Sequence, residues 1–232
     1  MMTGKTIEFE RKIKPETLSD VKIIVDESTF AGRFRQDDTY YDNIDAGYLL
    51  LSRGCWLRVR KETDRKGKHI SSFGLKVPRD GCLGRLSAYE ELSSLDAHGA
   101  LAIRWHLGIS KHAPLSGRLL CFYGYAPVVR FQTVRDVYRI AGDPTFTLCV
   151  DRTIGCPVRK DGARFTYEVI EVEKIVHTTG MVRMAEKMVL QFLDKKAARG
   201  ARFTNAVGGK VAQYLKFYEP ELYKKFFLQH IG

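Results

Sequence analysis

The sequence has no apolar run near the roughly 20 residues that a membrane-spanning helix needs, and no repeat, low-complexity tract or Pro/Ser-rich linker. Cysteine is sparse: Cys55, Cys82, Cys121, Cys149 and Cys156 form no C-x-x-C pair and leave one over. That argues against a disulfide framework or a zinc site and reads as reduced thiols in a cytoplasmic protein. The six histidines are scattered, so a structural role is assigned to each and none is offered to a metal. The opening MMTGKTIEFERK turns at once into charged, strand-like sequence, unlike a signal or transit peptide. These absences lead to the expectation of a single domain over residues 1–232, monomeric and without a membrane partner.

What is present is a folding composition, 44% hydrophobic and 28% charged, with a formal net charge of +11. The pI is about 9.4. Such an excess favours an anionic partner, whether nucleic acid, an acidic membrane or a polyphosphate, or else a solvated basic surface. Charge alone does not separate these.

Strand-like alternation or flanking turns mark Thr6–Lys12, Thr39–Asp42, Trp56–Lys61, Ser71–Val77, Ser87–Leu92, Val128–Arg139, Phe146–Asp151 and Phe165–Val176. Turns are expected at Lys66-Gly67, Asp80-Gly81, Gly142-Asp143 and Asp161-Gly162. Helices are expected at Pro15–Asp26 with Pro15 in the opening turn, at Ala97–Leu107 and at Leu115–Tyr123. Two more follow, one at Val182–Lys196 with a Met184, Met188, Phe192 stripe, and one from Lys210 to about Leu228, broken at Pro220. Some eight antiparallel strands with few helices predict an α+β fold, a closed barrel or sandwich with helices packed outside.

Residues two apart on a strand share a face. Glu8, Glu10 and Lys12 therefore lie together opposite Ile7 and Phe9, and Trp56, Arg58 and Arg60 lie opposite Leu57 and Val59. Glu171 and Glu173 oppose Ile170 and Val172, while Lys76 and Asp151 each stand on an otherwise apolar strand. An ordinary half-exposed sheet would show the same alternation. Here, however, acids pool on the first and last strands and bases on the middle ones, where a solvated face would mix them. If helices cover the apolar outer face, the charges line the lumen, which is expensive unless ligands neutralise them. Six bases (Lys12, Arg58, Arg60, Lys76, Arg135, Lys210) would then face six acids (Glu8, Glu10, Glu91, Asp151, Glu171, Glu173). Two Mg²⁺ ions would offset the charge of a triphosphate, and carboxylates without imidazole or thiol clusters suit Mg²⁺ or Mn²⁺.

These residues resemble the CYTH superfamily, the triphosphate tunnel metalloenzymes. The likeness begins with the E-x-E-x-K strand Glu8-Phe9-Glu10-Arg11-Lys12 and the segment Thr39-Tyr40-Tyr41-Asp42. It continues through Trp56-Leu57-Arg58-Val59-Arg60, Gly74-Leu75-Lys76, Tyr89-Glu90-Glu91-Leu92 and Val134-Arg135. Val150-Asp151, Glu171-Val172-Glu173 and Gly209-Lys210-Val211-Ala212-Gln213-Tyr214-Leu215 complete it. Trp56 and the tail Lys210–Phe227 are most similar to animal-type thiamine triphosphatases. Val134 departs from relatives that carry a second base beside Arg135, with Arg130 the weaker substitute. The Gly208-Gly209 pair is a loose start for the helix carrying Lys210.

The resemblance implies an eight-stranded antiparallel tunnel, a divalent metal, and hydrolysis of the terminal phosphate of thiamine triphosphate or a simpler polyphosphate. It implies that Glu8, Glu10, Asp151, Glu171 and Glu173 hold metal. Arg58, Arg60, Lys76, Arg135 and Lys210 would hold phosphate, with Glu91 also in the substrate site. Lys12 would contact phosphate or orient the attacking water, and Glu171 and Glu173 would be catalytic with it. Trp56, on the face of the paired arginines, is expected at the tunnel mouth beside an organic headgroup. The alternatives are an inorganic tripolyphosphatase, an adenylate cyclase acting on ATP, or a non-catalytic polyphosphate- or RNA-binding barrel. Interleaved acids would repel RNA, so a small-molecule triphosphate is the expected partner and no nucleic acid is expected.

Overall fold

The computed structural model describes residues 7–78, 87–157, 164–205 and 208–228. The expected turns at Asp80-Gly81 and Asp161-Gly162, and Thr6 at the start of the first strand, lie outside these residues. Among the described residues nine strands form: β1 (Ile7–Pro15), β2 (Ser28–Asn43), β3 (Trp56–Thr63), β4 (His69–Pro78), β5 (Ser87–Ser93), β6 (Tyr125–Ile140), β7 (Phe146–Gly155), β8 (Phe165–Val176) and β9 (Phe203–Asn205). Neighbours run in the order β5-β4-β3-β2-β6-β7-β8-β1-β9, and β5 also pairs with β1. The extra pairing closes β1–β8 into an eight-stranded antiparallel barrel with helices outside, as expected from the sequence. Strand β9, which the sequence did not announce, adds to the far end of β1 through Ile13, Lys14 and Pro15.

Helices cover the outer apolar faces where those faces exist. Ile7, Phe9 and Ile13 of β1, Phe146 and Leu148 of β7 and Ile170 and Val172 of β8 pack against α1 (Leu18–Val25) and α4 (Val182–Ala198). Leu57, Leu75 and Leu92 of β3–β5 pack against α2 (Ala97–His106) and α3 (Gly117–Phe122). Helix α2 crosses close to β5 because residue 99 is glycine: a Cβ there would lie 2.1 Å from the Ser93 carbonyl oxygen. In contrast, Arg33, Arg35 and Asp37 of β2, Arg130 and Gln132 of β6 and Arg152 of β7 are exposed on the outer wall. Among the described residues no helix is long and apolar enough to cross a membrane.

Two helices differ from expectation. Pro15 ends β1 instead of opening α1, and Thr17 caps that helix: its hydroxyl accepts from the Asp20 amide while the Asp20 carboxylate accepts from the Thr17 amide at 2.8 Å. Two orphan amides are thus satisfied reciprocally, which a proline in the first turn does not provide. On α4 the buried ridge is Ala185, Val189 and Leu193, flanked by Met188 and Phe192, whereas Met184 is 46% exposed. The small Ala185 takes the inner position and lets the helix lie close to the barrel.

The C-terminal helices α5 (Lys210–Tyr218) and α6 (Pro220–Tyr223) and a final turn, Lys224–Leu228, pack on one end of the barrel. Tyr214 and Leu215 join Val129, Phe131 and Phe165 in a third apolar cluster. A Cβ at Gly155 would sit 2.8 Å from the Phe165 ring and 3.1 Å from that of Tyr214, so this seat requires glycine. The Tyr214 hydroxyl donates to the Cys156 carbonyl at 2.9 Å, and that of Tyr167 to the Gly208 carbonyl at 2.6 Å.

Candidate active site in the barrel lumen

Strand parity delivers the expected charges to one interior. Glu8, Glu10, Lys12, Arg58, Arg60, Lys76, Glu91, Arg135, Asp151, Glu171 and Glu173 are joined there by Lys210 from the first turn of α5. Gly209 adopts an extended conformation ahead of Lys210, and a Cβ on it would lie 3.6 Å from the Lys12 side chain. The first residue of α5 thus comes up to β1, and a side chain at 209 would meet Lys12 at ordinary contact distance.

One side of the lumen is neutralised within itself. Arg135 donates through Nε and Nη2 to both oxygens of Asp151, at 2.8 and 2.7 Å, and also contacts Glu171. Lys210 Nζ stands 2.6 Å from Asp151 and 2.7 Å from Glu171. Burial penalises the Glu171 carboxylate, but the charges of Lys210, Arg135 and Lys12 outweigh it and hold the group well below the usual range. Burial likewise works against the Lys210 and Arg135 cations, while Asp151 and Glu171 keep both protonated.

The bases of β3 and β4 form a second group. Arg58 Nη2 donates to Glu91 at 2.9 Å, and Lys76 Nζ reaches Glu8 at 2.9 Å, Glu10 at 3.6 Å and Glu91 at 4.0 Å. These are the more accessible charges, with Glu91 27% and Lys76 21% exposed. Burial raises the cost of ionising Glu91, yet Lys76 and Arg58 keep it a carboxylate well below its ordinary pKa.

The third group is acidic. Glu8, Glu10 and Glu173 each offer one oxygen, and the three lie within 4.8 Å of one another. Their cationic neighbours are shared: Lys12 with Glu10 and, at 3.9 Å, Glu171, and Lys76 with Glu91. Burial, and the negative charges of Glu8, Glu171 and Glu10, push Glu173 up to about 8 despite Arg135 at 3.4 Å. Burial also raises Glu8, against the pull of Lys76. Three carboxylates this close, sharing their cationic neighbours and converging through oxygen atoms, suit a hard divalent cation. Of the residues expected to hold metal, Glu8, Glu10 and Glu173 converge, whereas Asp151 and Glu171 are engaged with Arg135 and Lys210.

Four placements add to the sequence reading. Asp38 of β2, not singled out there, is 1% exposed and accepts from Arg60 Nε and Nη2, both at 2.7 Å. Trp56 sits beside the plugged end and not alone: its ring stacks on Phe227 at 5.8 Å, and Phe227 stacks in turn on Tyr223. Arg130 is exposed on the outer wall, so it does not stand in for a second base beside Arg135. Asp42 commits its oxygens to the amides of Asn43, Leu50 and Leu51, which anchors the loop after β2.

Against known proteins, the family model described as the CYTH domain matches residues 6–200. No curated protein sequence matches the chain. Among solved structures, a candidate adenylyl cyclase from Hippeastrum, reported to have a dominant triphosphatase activity, is similar at 18% identity and a TM-score of 0.53, over 90% of this chain and 96% of that one. A candidate adenylate cyclase from Vibrio parahaemolyticus is similar at 13% identity and a TM-score of 0.53, over 91% and 98%. A protein from Pyrococcus horikoshii is similar at 15% identity and a TM-score of 0.53, over 85% and 93%. These likenesses concern the fold.

Proposed function

This chain belongs to the CYTH domain family, and on that premise we propose that it hydrolyses the terminal phosphate of thiamine triphosphate, releasing thiamine diphosphate and phosphate. The observation that carries the hydrolase reading is the division of the lumen into a corner of three close carboxylates and an arginine- and lysine-lined wall. Glu8, Glu10 and Glu173 would hold Mg²⁺ or Mn²⁺, which when bound supplies positive charge to the phosphate oxygens and acidifies a water. Arg58, Arg60 and Lys76 would grip the phosphate chain, the arginines through their planar forks. Arg135 and Lys210, fixed by Asp151 and Glu171, would face the phosphate group deepest in the lumen.

Lys12 can be assigned more closely than from sequence. Burial opposes its charge, but Glu10 and Glu171 raise its pKa, so it remains an ammonium. As an ammonium it can donate to a phosphate oxygen or to the attacking water. Water would attack the terminal phosphorus in line as the bridging P–O bond breaks towards the diphosphate, with these cations stabilising the spreading charge.

A second reading, inorganic tripolyphosphatase, is favoured by one observation: one face of the Trp56 ring is already taken by Phe227. The test is phosphate release from thiamine triphosphate, tripolyphosphate, ATP and an RNA 5′-triphosphate, with Mg²⁺ and Mn²⁺ varied. The reading expects a small-molecule triphosphate to be preferred, thiamine triphosphate over tripolyphosphate. No hydrolysis of any substrate with either metal would end it. The expectation of a monomer in the cytoplasm is carried forward with this proposal.

A further inference from the structure

Asp38 and Asp151 occupy matching situations. Asp38 is the direct cross-strand partner of Arg60, as Asp151 is of Arg135. Both aspartates are buried, at 1% and 0% exposure, and both take the Nε and Nη2 hydrogens of their arginine in a fork. The two pairs flank the β2–β6 seam, and Asp38 lies in addition 4.0 Å from Arg58 Nε. A guanidinium held along its Nε–Nη2 edge has its torsions fixed and keeps its Nη1 hydrogens outside the fork; in Arg135 these reach Glu173 at 3.4 Å.

We propose that Asp38 is a positioning residue for phosphate binding, holding Arg60 directly and Arg58 at its flank so that both present their remaining donors to the phosphate chain. The proposal rests on the hydrolase reading above for the substrate, though its test does not depend on turnover. Two physical effects of Asp38 oppose each other, and their signs differ. As a mere counter-charge it would weaken anion binding, so removing its charge would tighten binding. As an orienting group it lowers the entropy that Arg60 and Arg58 must lose on binding, so removing it would weaken binding. The bidentate fork and near-complete burial favour the second.

The experiment measures tripolyphosphate binding by calorimetry and hydrolysis by phosphate release, for wild type, Asp38→Asn, Arg60→Ala and the double variant. Asp38→Asn is expected to weaken tripolyphosphate binding about 10- to 100-fold, the range for charge-assisted hydrogen bonds. In the Arg60→Ala background the same change should have little further effect, because the group it positions is gone. Binding that is unchanged or tighter in Asp38→Asn, or losses that simply multiply in the double variant, would overturn the proposal. Should Asp38→Asn fail to fold, Arg60→Lys decides: it keeps the charge and loses the fork, so wild-type binding in that variant overturns the proposal and a comparable loss supports it. Wild-type protein that binds tripolyphosphate without hydrolysing any triphosphate sinks the hydrolase reading and leaves the positioning role to be decided by binding.

Discussion

Glu171 and Glu173 stand two residues apart on the same face of β8, yet their surroundings differ. Glu171 is enclosed by Arg135, Lys210 and Lys12 and is held well below the ordinary carboxylate range. Glu173 shares its space with Glu8 and Glu10 and is pushed up to about 8. Burial acts on both in the same direction, so the difference comes from neighbouring charge. One region of the lumen is complete as it stands; the other would be relieved by a cation. An alternation pattern places both glutamates inside and cannot tell them apart.

The largest effect expected is on the acidic region. Chelation should abolish phosphate release and added Mg²⁺ should restore it; undiminished activity in excess EDTA would remove the distinction between the two regions. Next, conservative variants should separate them. Glu173→Gln should lower turnover by more than the ~10–100-fold that outer-shell partners of a metal cost, without lowering the melting temperature of the metal-free protein. Glu171→Gln leaves Arg135 and Lys210 short of a partner, and loss of one member of such a buried network costs about 3–5 kcal/mol. Denaturant melts in EDTA read this directly, and equal stabilities would show that Glu171 is no better paired than Glu173.

The pH dependence should also have opposite signs. Between about 4.5 and about 8 the folded protein keeps a proton on Glu173 that the unfolded chain releases. In this window the stability of the metal-free protein should fall as pH rises, by at most ~1.4 kcal/mol per pH unit for one proton. Glu171, with its folded pKa depressed, contributes stability above about 4.5 that is lost as pH falls below it. Melting curves against pH in EDTA should show the alkaline-side slope in wild type and lose it in Glu173→Gln; a slope that survives would assign it elsewhere.

The smallest effect concerns Trp56, at the plugged end. A cation–π contact with a thiazolium ring is worth roughly 0.5–2 kcal/mol, a two- to thirty-fold change on a scale where 1.4 kcal/mol is one decade. Trp56→Ala should lower kcat/KM for thiamine triphosphate by about that factor and leave tripolyphosphate nearly unchanged. Equal losses for both would mean that the indole serves only to seat Phe227.

Much of the lumen could be read from the sequence because helices cover most of the outer wall. Where α1, α2, α3 and α4 pack, the outward residues must be apolar, so inward charges alternate visibly with Ile7, Phe9, Leu57, Leu75, Ile170 and Val172. The alternation disappears where that requirement lapses. The outward positions around Asp38 are Arg33, Arg35 and Asp37, exposed to solvent, so both faces of this part of β2 are polar and no period of two shows. Strand-like alternation accordingly shows only from Thr39, one residue after Asp38. Pro15 misled for a local reason, since φ near −65° suits a first helical turn and also the end of a strand. The pairing of Asp151 with Arg135 depends on which strands are neighbours, and alternation along one strand contains no such information.

Ring closure has a mechanical side. Among the described residues the β1–β5 join runs only from Ile7↔Glu90 to Glu10↔Ser87, whereas β2 and β6 zip together from Ser28↔Ile140 to Asn43↔Tyr125. A break at this join would open the cylinder, and the join carries Glu8 and Glu10. Lys76 of β4 reaches across β5 to Glu8, tying the two sides of that slit like a lace. A sheet opened there would acquire two bare strand edges, each a template for pairing with another chain. Glu8, Glu10 and Lys76, to which the proposed function gives metal and phosphate, thus also stand at this join, and weakening them is expected to promote self-association as well as loss of chemistry.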